Sequence, residues 1–388
     1  MTPDHAGPPG KAEGAARMRA DIVSLRETIT ENARKICEIL GPGRKVDAAR
    51  LNLLLLETAR LVHDGHRLLA DGGRLRAEDL EAAAGDRAAG AEAARAWAQL
   101  GMPVNQLRLE LNRWPVIDAM LRPQVRHRRQ PLIDDPDRLP PVAAMRERVS
   151  DRLFAQLHAL LNEEEQDPAA REHGCFADIP LAQSLFLREM HAARRCLIAA
   201  RPGRPMRFLD IGCGAGLKVI SAAPYFDRCA GLEYDPGYAA RARGLFAGLP
   251  HDRCRVIEGD ALSFAGYGDF DVLYFFRPMR DDATLARLEA RIAAGARPGT
   301  LLVAPYRIFA TRAADLGCAH VAGHVWLAGA DARRADRLRR AAEAIGTGLP
   351  LDSDGNVPLV WDPLVRASRL RGHEPGLAAG PRHGDPNG

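Results

Sequence analysis

The sequence predicts an α/β protein whose sheet is preceded by an all-α N-terminal domain, and two observations support this fold class. Residues 207–220, RFLDIGCGAGLKVI, have the pattern of a short buried strand, a loop turned by three glycines and the start of a helix. Further upstream, residues 18–39 carry apolar side chains at alternating steps of four and three, which is the spacing of an amphipathic helix. The chain therefore combines a helical region with a cofactor-type loop.

Composition divides the chain into four predicted segments. Residues 1–16, rich in Pro, Gly and Ala, are predicted to be a disordered leader. Residues 17–175 are predicted to form the helical domain and residues 176–348 the sheet domain. Residues 349–388 are expected to be an irregular and finally disordered tail because of their Pro, Gly and Asp content. A length of 388 residues fits two folded domains.

The first helix has two interpretations. Its apolar stripe consists of Met18, Ile22, Leu25, Ile29, Asn32, Ile36 and Ile39. This heptad-like stripe, with one polar position, would suit a coiled coil that joins two copies of the chain. It is short, however, and ends at Gly41-Pro42-Gly43, so packing inside the helical domain is favoured over a homodimer through the N-terminal helices.

The spacing of the glycines distinguishes between classes of nucleotide cofactor. A dinucleotide fingerprint is G-x-G-x-x-G, but counting from Gly212 puts Leu217 where the third glycine should stand. A P-loop requires Ser or Thr after its Lys, and Lys218 is followed by Val219. The pattern that starts at Asp210 is instead D-x-G-x-G-x-G.

This pattern resembles motif I of the class I S-adenosylmethionine (SAM)-dependent methyltransferases, and later segments resemble the family in order. CAGLEYD at 229–235 is similar to its second strand, RVIEGDAL at 255–262 to its third, and FDVLYFFRPM at 270–279 to its fourth. TLLVAPY at 300–306 and CAHVAGHVWL at 318–327 are similar to its fifth strand and terminal hairpin. The resemblance covers residues 180–348 and implies a doubly wound, seven-stranded class I methyltransferase sheet.

The resemblance also implies a set of cofactor-binding residues, with SAM as the cofactor. The set is Asp210, Gly212, Cys213, Gly214, Gly216, Glu233, Tyr234, Asp260, Ala261 and Phe275. Asp210 and the glycine loop would hold the methionine part. Glu233 lies about 20 residues past the loop, where this architecture places a carboxylate on the ribose hydroxyls. Asp260 would accept from the adenine amino group, with backbone contacts from Ala261.

The methyl acceptor is expected at the carboxyl end of the fourth strand. SAM carries an activated methyl group, so the protein must align a nucleophile with it and exclude water. Tyr274, Arg277 and Tyr306 are the catalytic candidates. Because strand-end loops gather on one rim, Asp281 and His324 join Tyr306 as candidates for the general base, and no base is singled out.

The same loop excludes two kinds of nucleic-acid methylation. Residues 276–279 read Phe-Arg-Pro-Met, not the Asn-Pro-Pro-Tyr of amino-directed enzymes, and no Pro-Cys pair is present for carbon-5 pyrimidine chemistry. The net charge is only +4, and the basic stretch 122–131 lacks interleaved aromatic residues. A nucleic-acid partner is therefore not favoured, and the basic stretch is interpreted as a solvated loop.

These observations predict a SAM-dependent methyltransferase, EC 2.1.1.-, with a small molecule as the favoured acceptor. A protein or RNA methyltransferase, or a catalytically silent SAM-binding regulatory or assembly protein, stays open as an alternative. The seven cysteines lack a C-x-x-C pair and are expected to be reduced thiols of a cytoplasmic protein. No metal site is expected, since residues 320–324 lack the Glu of H-E-x-x-H. The longest apolar run, residues 53–56, is too short to cross a membrane.

Overall fold

The computed structural model describes residues 13–41, 45–125, 129–162, 166–349 and 360–375. These residues form two compact units. The helical unit contains the described residues up to 127 together with those after 350, and the sheet unit contains the described residues between them. The helices are α1 Glu13–Ile39, α2 Ala48–Ala82, α3 Arg87–Gln99, α4 Gly101–Val125, α5 Pro141–Leu161, α6 Pro168–Glu172, α7 Gln183–Ala200, α8 Leu217–Ala222, α9 Pro236–Ala247, α10 Asp282–Gly295, α11 Arg307–Arg312, α12 Ala332–Ala342 and α13 Asp362–Arg369. The strands are β1 Arg207–Ile211, β2 Arg228–Glu233, β3 Cys254–Glu258, β4 Val272–Phe275, β5 Leu301–Val303, β6 Cys318–Ala322 and β7 Val325–Ala328. None of the helices in these described ranges is long and apolar enough to span a bilayer.

The helical unit uses the apolar stripe of α1 internally. Met18, Ile22, Ile29 and Ile36 are all buried and share a core with the leucines of α2 and α4. Helices α1 and α2 approach closely at Gly72. A Cβ added at this residue of α2 would lie only 2.5 Å from Cε of Met18 in α1. The surface that would have formed a coiled coil is therefore covered within the unit.

The C-terminal part of the chain contributes a helix to this unit, where the sequence predicted an irregular tail. Trp361, just before α13, is fully buried and its ring centroid lies 5.2 Å from that of Trp114. Its indole N–H donates to the backbone carbonyl of Glu110 at 2.8 Å. The prediction was wrong here because packing against α4 stabilises an eight-residue helix within a segment whose Pro, Gly and Asp content predicts irregular structure.

The sheet unit begins earlier than the predicted boundary at residue 176, since it includes α5. Asp151 of α5 accepts hydrogen bonds from the backbone N–H and the hydroxyl of Ser184 at the start of α7, at 2.6 and 2.8 Å. One turn earlier, Glu147 pairs with Arg188 at 2.7 Å. These polar contacts fasten α5 to the sheet unit, although its composition resembles that of the N-terminal helices.

The seven strands lie in the order β3-β2-β1-β4-β5-β7-β6, with β7 antiparallel to both neighbours and every other described pairing among β1 to β5 parallel. Apolar side chains alternate between two cores. One contains residues of α7, α8, α9 and α12, and the other contains residues of α10 and α11. The predicted doubly wound, seven-stranded sheet is confirmed.

The strand order reverses direction between β1 and β4, and this reversal positions the site. In open α/β sheets, ligands bind in the crevice outside the carboxyl ends of the strands at such a switch point. The glycine loop follows β1 directly, and the segment Phe276-Arg277-Pro278-Met279 follows β4. The fold therefore brings the two segments that the sequence singled out to one edge.

We expect Trp361→Ala to destabilise the helical unit by about 3–5 kcal/mol, because it removes a large buried ring and leaves the Glu110 carbonyl without its donor. Trp361→Phe keeps an aromatic ring and should cost less. Leu109→Ala, at an exposed position of α4, is the control and should change little. Urea unfolding followed by circular dichroism measures all three, and equal stability of Trp361→Ala and Leu109→Ala would contradict this account of α13.

Candidate functional site

The loop after β1 has a backbone that only glycine adopts without strain. Gly212, Gly214 and Gly216 have φ values of +78°, +54° and +84°. A Cβ at Gly214 would lie 2.2 Å from Oδ2 of Asp178, so a side chain there would displace that carboxylate. The backbone N–H groups of Gly212 and Cys213 donate to the carbonyl of Leu232 in β2, at 2.8 and 3.2 Å. The loop is therefore held against the end of the neighbouring strand.

Glu233, the last residue of β2, fixes the same loop through its side chain. One carboxylate oxygen accepts from the backbone N–H of Gly214 at 2.8 Å. The other accepts from the N–H groups of Tyr234 and Asp235, both at 2.9 Å. Burial raises the pKa of Glu233 to about 7, although the N–H groups of Asp235 and Gly214 oppose that shift. Three backbone N–H groups thus fix the orientation of the carboxylate, and its pKa lies near neutral pH.

A cavity lies at the switch point, between the glycine loop and the segment after β4. Its lining includes Phe176, Asp178, Leu181, Asp210, Gly212, Cys213, Gly214, Lys218, Glu233, Tyr234, Tyr238, Gly259, Asp260, Ala261, Tyr274, Phe276, Arg277, Pro278 and Met279. Burial raises the pKa of Asp210 well above its usual range, and the nearby charges of Asp178 and Glu233 add to that shift, while Lys218 opposes it. The acids outnumber the cations in this lining, so the cavity favours a positively charged ligand.

Lys218 is one of the cations in that lining. Its ammonium donates to the carbonyl of Leu181 and to Oε1 of Gln183, both at 3.0 Å, and lies 3.8 Å above the ring of Phe154. Burial lowers the pKa of Lys218 to about 8, although nearby acids, Asp210 first, oppose that shift. Lys218 therefore offsets only part of the negative charge of the cavity.

Asp260 and Tyr234 meet at the end of the cavity that the resemblance assigns to adenine. Oδ1 of Asp260 accepts from the N–H of Leu262 at 2.9 Å. Nε2 of His173 lies 3.2 Å from that same oxygen. The His173 ring is stacked on Tyr234, with centroids 4.2 Å apart and planes at 12°. A carboxylate beside an aromatic face is the arrangement that recognises an amino-substituted base.

Eight of the ten predicted cofactor residues line the cavity, and Gly216 and Phe275 do not. Gly216 caps α8, where a Cβ would lie 2.6 Å from Cζ of Phe246. Phe275 is fully buried on the opposite face of the sheet, with its ring 5.2 Å from that of Phe309. Side chains alternate along a strand, so Tyr274 and Phe276 face the cavity and Phe275 cannot. The prediction for Phe275 was wrong by one residue.

The catalytic candidates occupy different surroundings. Tyr274 and Arg277 line the cavity, and Arg277 has φ +46°, which is strained for a residue other than glycine. Tyr306 donates to Oε1 of the buried Glu289 at 2.8 Å and lies outside the cavity lining. Asp281 accepts from the N–H of Thr284 at 2.7 Å as the N-cap of α10, and that bond lowers its pKa. Tyr306 and Asp281 are therefore committed to structural bonds.

Sequence reasoning missed three residues of the site. In the sequence, Lys218 serves only as evidence against a P-loop. Its position as the second residue of α8, next to the glycine loop, could have indicated that it lies in the site. His173 and Asp178 lie in a segment with no helical or strand periodicity, and nothing in the sequence pointed to them. Among the described residues, no group of three or more His, Cys, Asp or Glu side chains is arranged to hold a metal ion.

No protein-family model and no curated protein matches the sequence. Among solved structures, the chain is similar to an amino pentose methyltransferase from Micromonospora echinaspora, at 28% identity over 31% of this chain and 51% of that one, with a TM-score of 0.27. It is similar to a sugar N-methyltransferase from Streptoalloteichus sp., at 26% identity over 31% and 49% of the two chains, with a TM-score of 0.26. The match thus spans about half the length of these structures, and at such TM-scores it carries no conclusion about activity.

The sheet unit of this chain has the class I methyltransferase fold, because its doubly wound sheet of seven strands, its glycine loop and its strand-end acids are those that the resemblance implied. SAM is the cofactor whose groups suit the residues present. Its positive charge complements Asp210, its ribose hydroxyls complement Glu233, and its adenine amino group complements Asp260. A dinucleotide is a poor fit, because its anionic diphosphate would face these same carboxylates.

We expect SAM affinity to fall up to about tenfold between pH 8 and pH 6, because Glu233 gains a proton as the pH drops through its pKa of about 7 and then accepts ribose hydroxyls less well. Glu233→Gln does not titrate and should lose this dependence. Glu258→Gln, at the exposed residue paired with Glu233 in β3, should keep it. Calorimetric titration at several pH values measures the effect. An equal dependence in Glu233→Gln would exclude Glu233 and assign the dependence to another group of the cavity, such as Asp210, whose pKa is raised by burial.

Proposed function

We propose that this protein is a SAM-dependent methyltransferase, EC 2.1.1.-, acting on a small-molecule acceptor. One observation carries the proposal: the D-x-G-x-G-x-G loop and three acids from the carboxyl ends of adjacent parallel strands lie around the same cavity. Asp210 is the penultimate residue of β1, Glu233 is the last residue of β2, and Asp260 follows β3, and all three line one cavity. This spacing distributes one anion to each part of a cationic adenosyl ligand.

SAM, when bound, supplies the activated methyl group. In this proposal Glu233 holds the ribose and Asp260 the adenine, while the glycine loop allows close approach of the backbone to the methionine part. Tyr274, Phe276 and Arg277 form the wall after β4 where the acceptor would lie. The wall is largely aromatic, so it excludes water and presents the Arg277 guanidinium to a polar or anionic acceptor group.

The preference for a small acceptor is supported by the segment after β4. Residues 276–279 lack the tetrad that binds a target base nitrogen. Arg277 lies over the ring of Phe176 at 5.6 Å, and Nε of Arg277 is buried without a hydrogen-bond partner among the described residues. A half-buried guanidinium beside an aromatic ring suits a single polar group better than an extended phosphate backbone. Residues 126–128 of the basic stretch lie outside the described residues.

His324, paired with Glu189, is a candidate general base. Methyl transfer to an amine or a hydroxyl group requires a base to take up the proton that this group loses. Nδ1 of His324 lies 2.5 Å from Oε1 of Glu189, whose side chain is 1% exposed, whereas that of His324 is 37% exposed. The bond to Glu189 raises the pKa of His324, and burial raises the pKa of Glu189. His324 directly precedes β7, at the carboxyl end of β5, which is the edge of the sheet where the cavity lies.

A catalytically silent SAM-binding protein is the second candidate, and one observation favours it. None of the three candidate bases, Tyr306, Asp281 and His324, is among the residues that line the cavity. A protein that binds SAM but transfers no methyl group to any component of a cell extract supplied with labelled SAM would be of this second kind. Transfer to RNA or to protein in that extract would instead identify a macromolecular acceptor.

The first test of the proposal is calorimetric titration with SAM and, separately, with NAD. Wild-type protein should bind SAM with micromolar affinity and should not bind NAD. Glu233→Ala should weaken SAM binding by at least about tenfold, because it removes the ribose acceptor and frees the Gly214 N–H from its anchor. Glu258→Ala, at the paired exposed position, should bind like the wild type. Binding of NAD but not of SAM would refute the cofactor assignment.

With an acceptor identified by labelled SAM, we expect His324→Asn to lower kcat by about 10²–10⁴-fold without changing the Kd for SAM. The wild-type rate should rise with pH through the raised pKa of His324, because the base acts in its neutral form. His320→Asn, on the other strand of the same hairpin, is the matched control and should retain activity. Unchanged kcat and pH profile in His324→Asn would exclude His324 as the base.

A further inference from the structure

Residues 166–178, termed here the cap segment, lie across the carboxyl ends of β1, β2 and β3. The backbone N–H of Asp167 donates to Oδ2 of Asp235 after β2, at 2.8 Å. His173 contacts Tyr234 and Asp260, and Asp178 contacts the glycine loop. One short stretch of chain thus touches the acid proposed to bind adenine and the glycine loop proposed to hold the methionine part of SAM.

His173 has the contacts that an adenine ring would make. It is an aromatic heterocycle stacked nearly parallel on Tyr234, and its Nε2 lies within hydrogen-bond distance of the carboxylate proposed to accept from the adenine amino group. Stacking and a polar edge contact are the two means by which proteins recognise a base. Tyr234 and Asp260 cannot offer the same surfaces to His173 and to adenine at one time.

Asp178 has the contacts of an anionic group bound at the glycine loop. Its Oδ2 accepts from the backbone N–H of Ala215 at 3.3 Å and lies where a Cβ of Gly214 would be. Its other oxygen, Oδ1, lies 3.2 Å from Nε2 of His158. Backbone N–H groups in a glycine turn form an anion-binding concavity, and here the chain's own carboxylate occupies it.

Short backbone contacts hold the cap segment in this position. The N–H of Phe176 donates to the carbonyl of Pro278 at 3.1 Å, and the N–H of Arg280 donates to the carbonyl of Gly174 at 2.9 Å. These two bonds flank the antiparallel pair of Cys175 and Met279. Gly174 has φ +91° and no atom within 4 Å of its Cβ position, so the chain has room to turn there.

We infer that the cap segment is an internal competitor of the cofactor. SAM binds by displacing the His173 ring from the adenine position and the Asp178 carboxylate from the glycine loop. This inference rests on the proposed function, because it uses the same three acids. The cavity of about 80 Å³ left beside the cap segment is too small for an adenosyl ligand, which agrees with the displacement. The measured affinity is therefore the intrinsic affinity reduced by the fraction of molecules whose cap segment is open.

The alternative role for His173, as a fixed wall of the adenine site, predicts a change in SAM affinity of the opposite sign. If His173 were a fixed wall of the adenine site, its removal would weaken SAM binding. If it is a competitor, removal of its stacking and polar contacts favours the open form and tightens binding. The sign of one affinity change therefore separates the two arrangements.

We expect His173→Ala to bind S-adenosylhomocysteine and adenosine on the order of tenfold more tightly than the wild type, measured by calorimetry. Adenosine lacks the methionine part, so its gain reports on the adenine position alone. His63→Ala makes the same change at an exposed position of α2 and should leave both affinities unchanged. Equal or weaker adenosine binding by His173→Ala would overturn the inference.

A second variant tests whether the segment has to move. Cys175 and Met279 form a non-hydrogen-bonded antiparallel pair, whose Cα atoms lie about 4.5 Å apart in general, within the range for a disulfide. Met279→Cys, oxidised with copper phenanthroline and checked by mass spectrometry, ties the cap segment to the loop after β4. We expect S-adenosylhomocysteine affinity to fall at least about tenfold on oxidation and to return with dithiothreitol. Equal binding by the oxidised and reduced forms would contradict displacement.

The two hypotheses fail in different ways. If neither wild type, His173→Ala nor reduced Met279→Cys binds SAM or S-adenosylhomocysteine, the proposed function fails and the inference fails with it. If wild type binds but His173→Ala binds no tighter, the methyltransferase proposal stands and the competitor is excluded.

Discussion

The site depends on one buried carboxylate. Glu233 accepts the N–H of Gly214 with one oxygen and the N–H groups of Tyr234 and Asp235 with the other, so it joins the glycine loop of β1 to the end of β2. Hydrogen bonds to a charged group contribute about 1.5–3 kcal/mol each, and in a buried position they also fix direction. The same carboxylate is the proposed ribose ligand. Loop geometry and ligand binding therefore rest on the same atoms, which explains why burial with a pKa near 7 is tolerated here.

The charge of the cavity follows from the fold. In a parallel sheet, the carboxyl ends of neighbouring strands meet at one edge, so acids that follow β1, β2 and β3 in the sequence gather in space. Burial raises the pKa of Asp210, the charges of Asp178 and Glu233 add to that shift, and Lys218, whose own pKa burial lowers to about 8, opposes it. A cationic ligand relieves the repulsion among these acids and an anionic one increases it. Electrostatics thus separates SAM from a dinucleotide more firmly than glycine spacing does.

Local pattern was sufficient for the sheet and for most of the site, because a glycine turn and a strand-end acid are recognisable within a few residues. Phe275 was misplaced since β4 is buried on both faces, and its uninterrupted apolar run carries no sign of which side chain faces the cavity. The helix after Trp361 was missed because its stability comes from α4, more than 200 residues away. His173 and Asp178 were missed because their roles arise from where a non-periodic segment lies in space.

When SAM displaces the cap segment, the contacts that the cap segment loses are replaced by similar contacts from the cofactor. An imidazole on Tyr234 gives way to an adenine, and the Asp178 carboxylate on the Ala215 N–H gives way to another anionic group. Because each contact that is lost has a counterpart that is gained, the net affinity depends on the differences between them. Removal of Asp178 from the cavity also removes one of its negative charges, and Asp210, Glu233 and Asp260 then remain as its acids. Under this arrangement the internal competitor weakens binding while leaving selectivity for an adenosyl cation to the acids of the sheet.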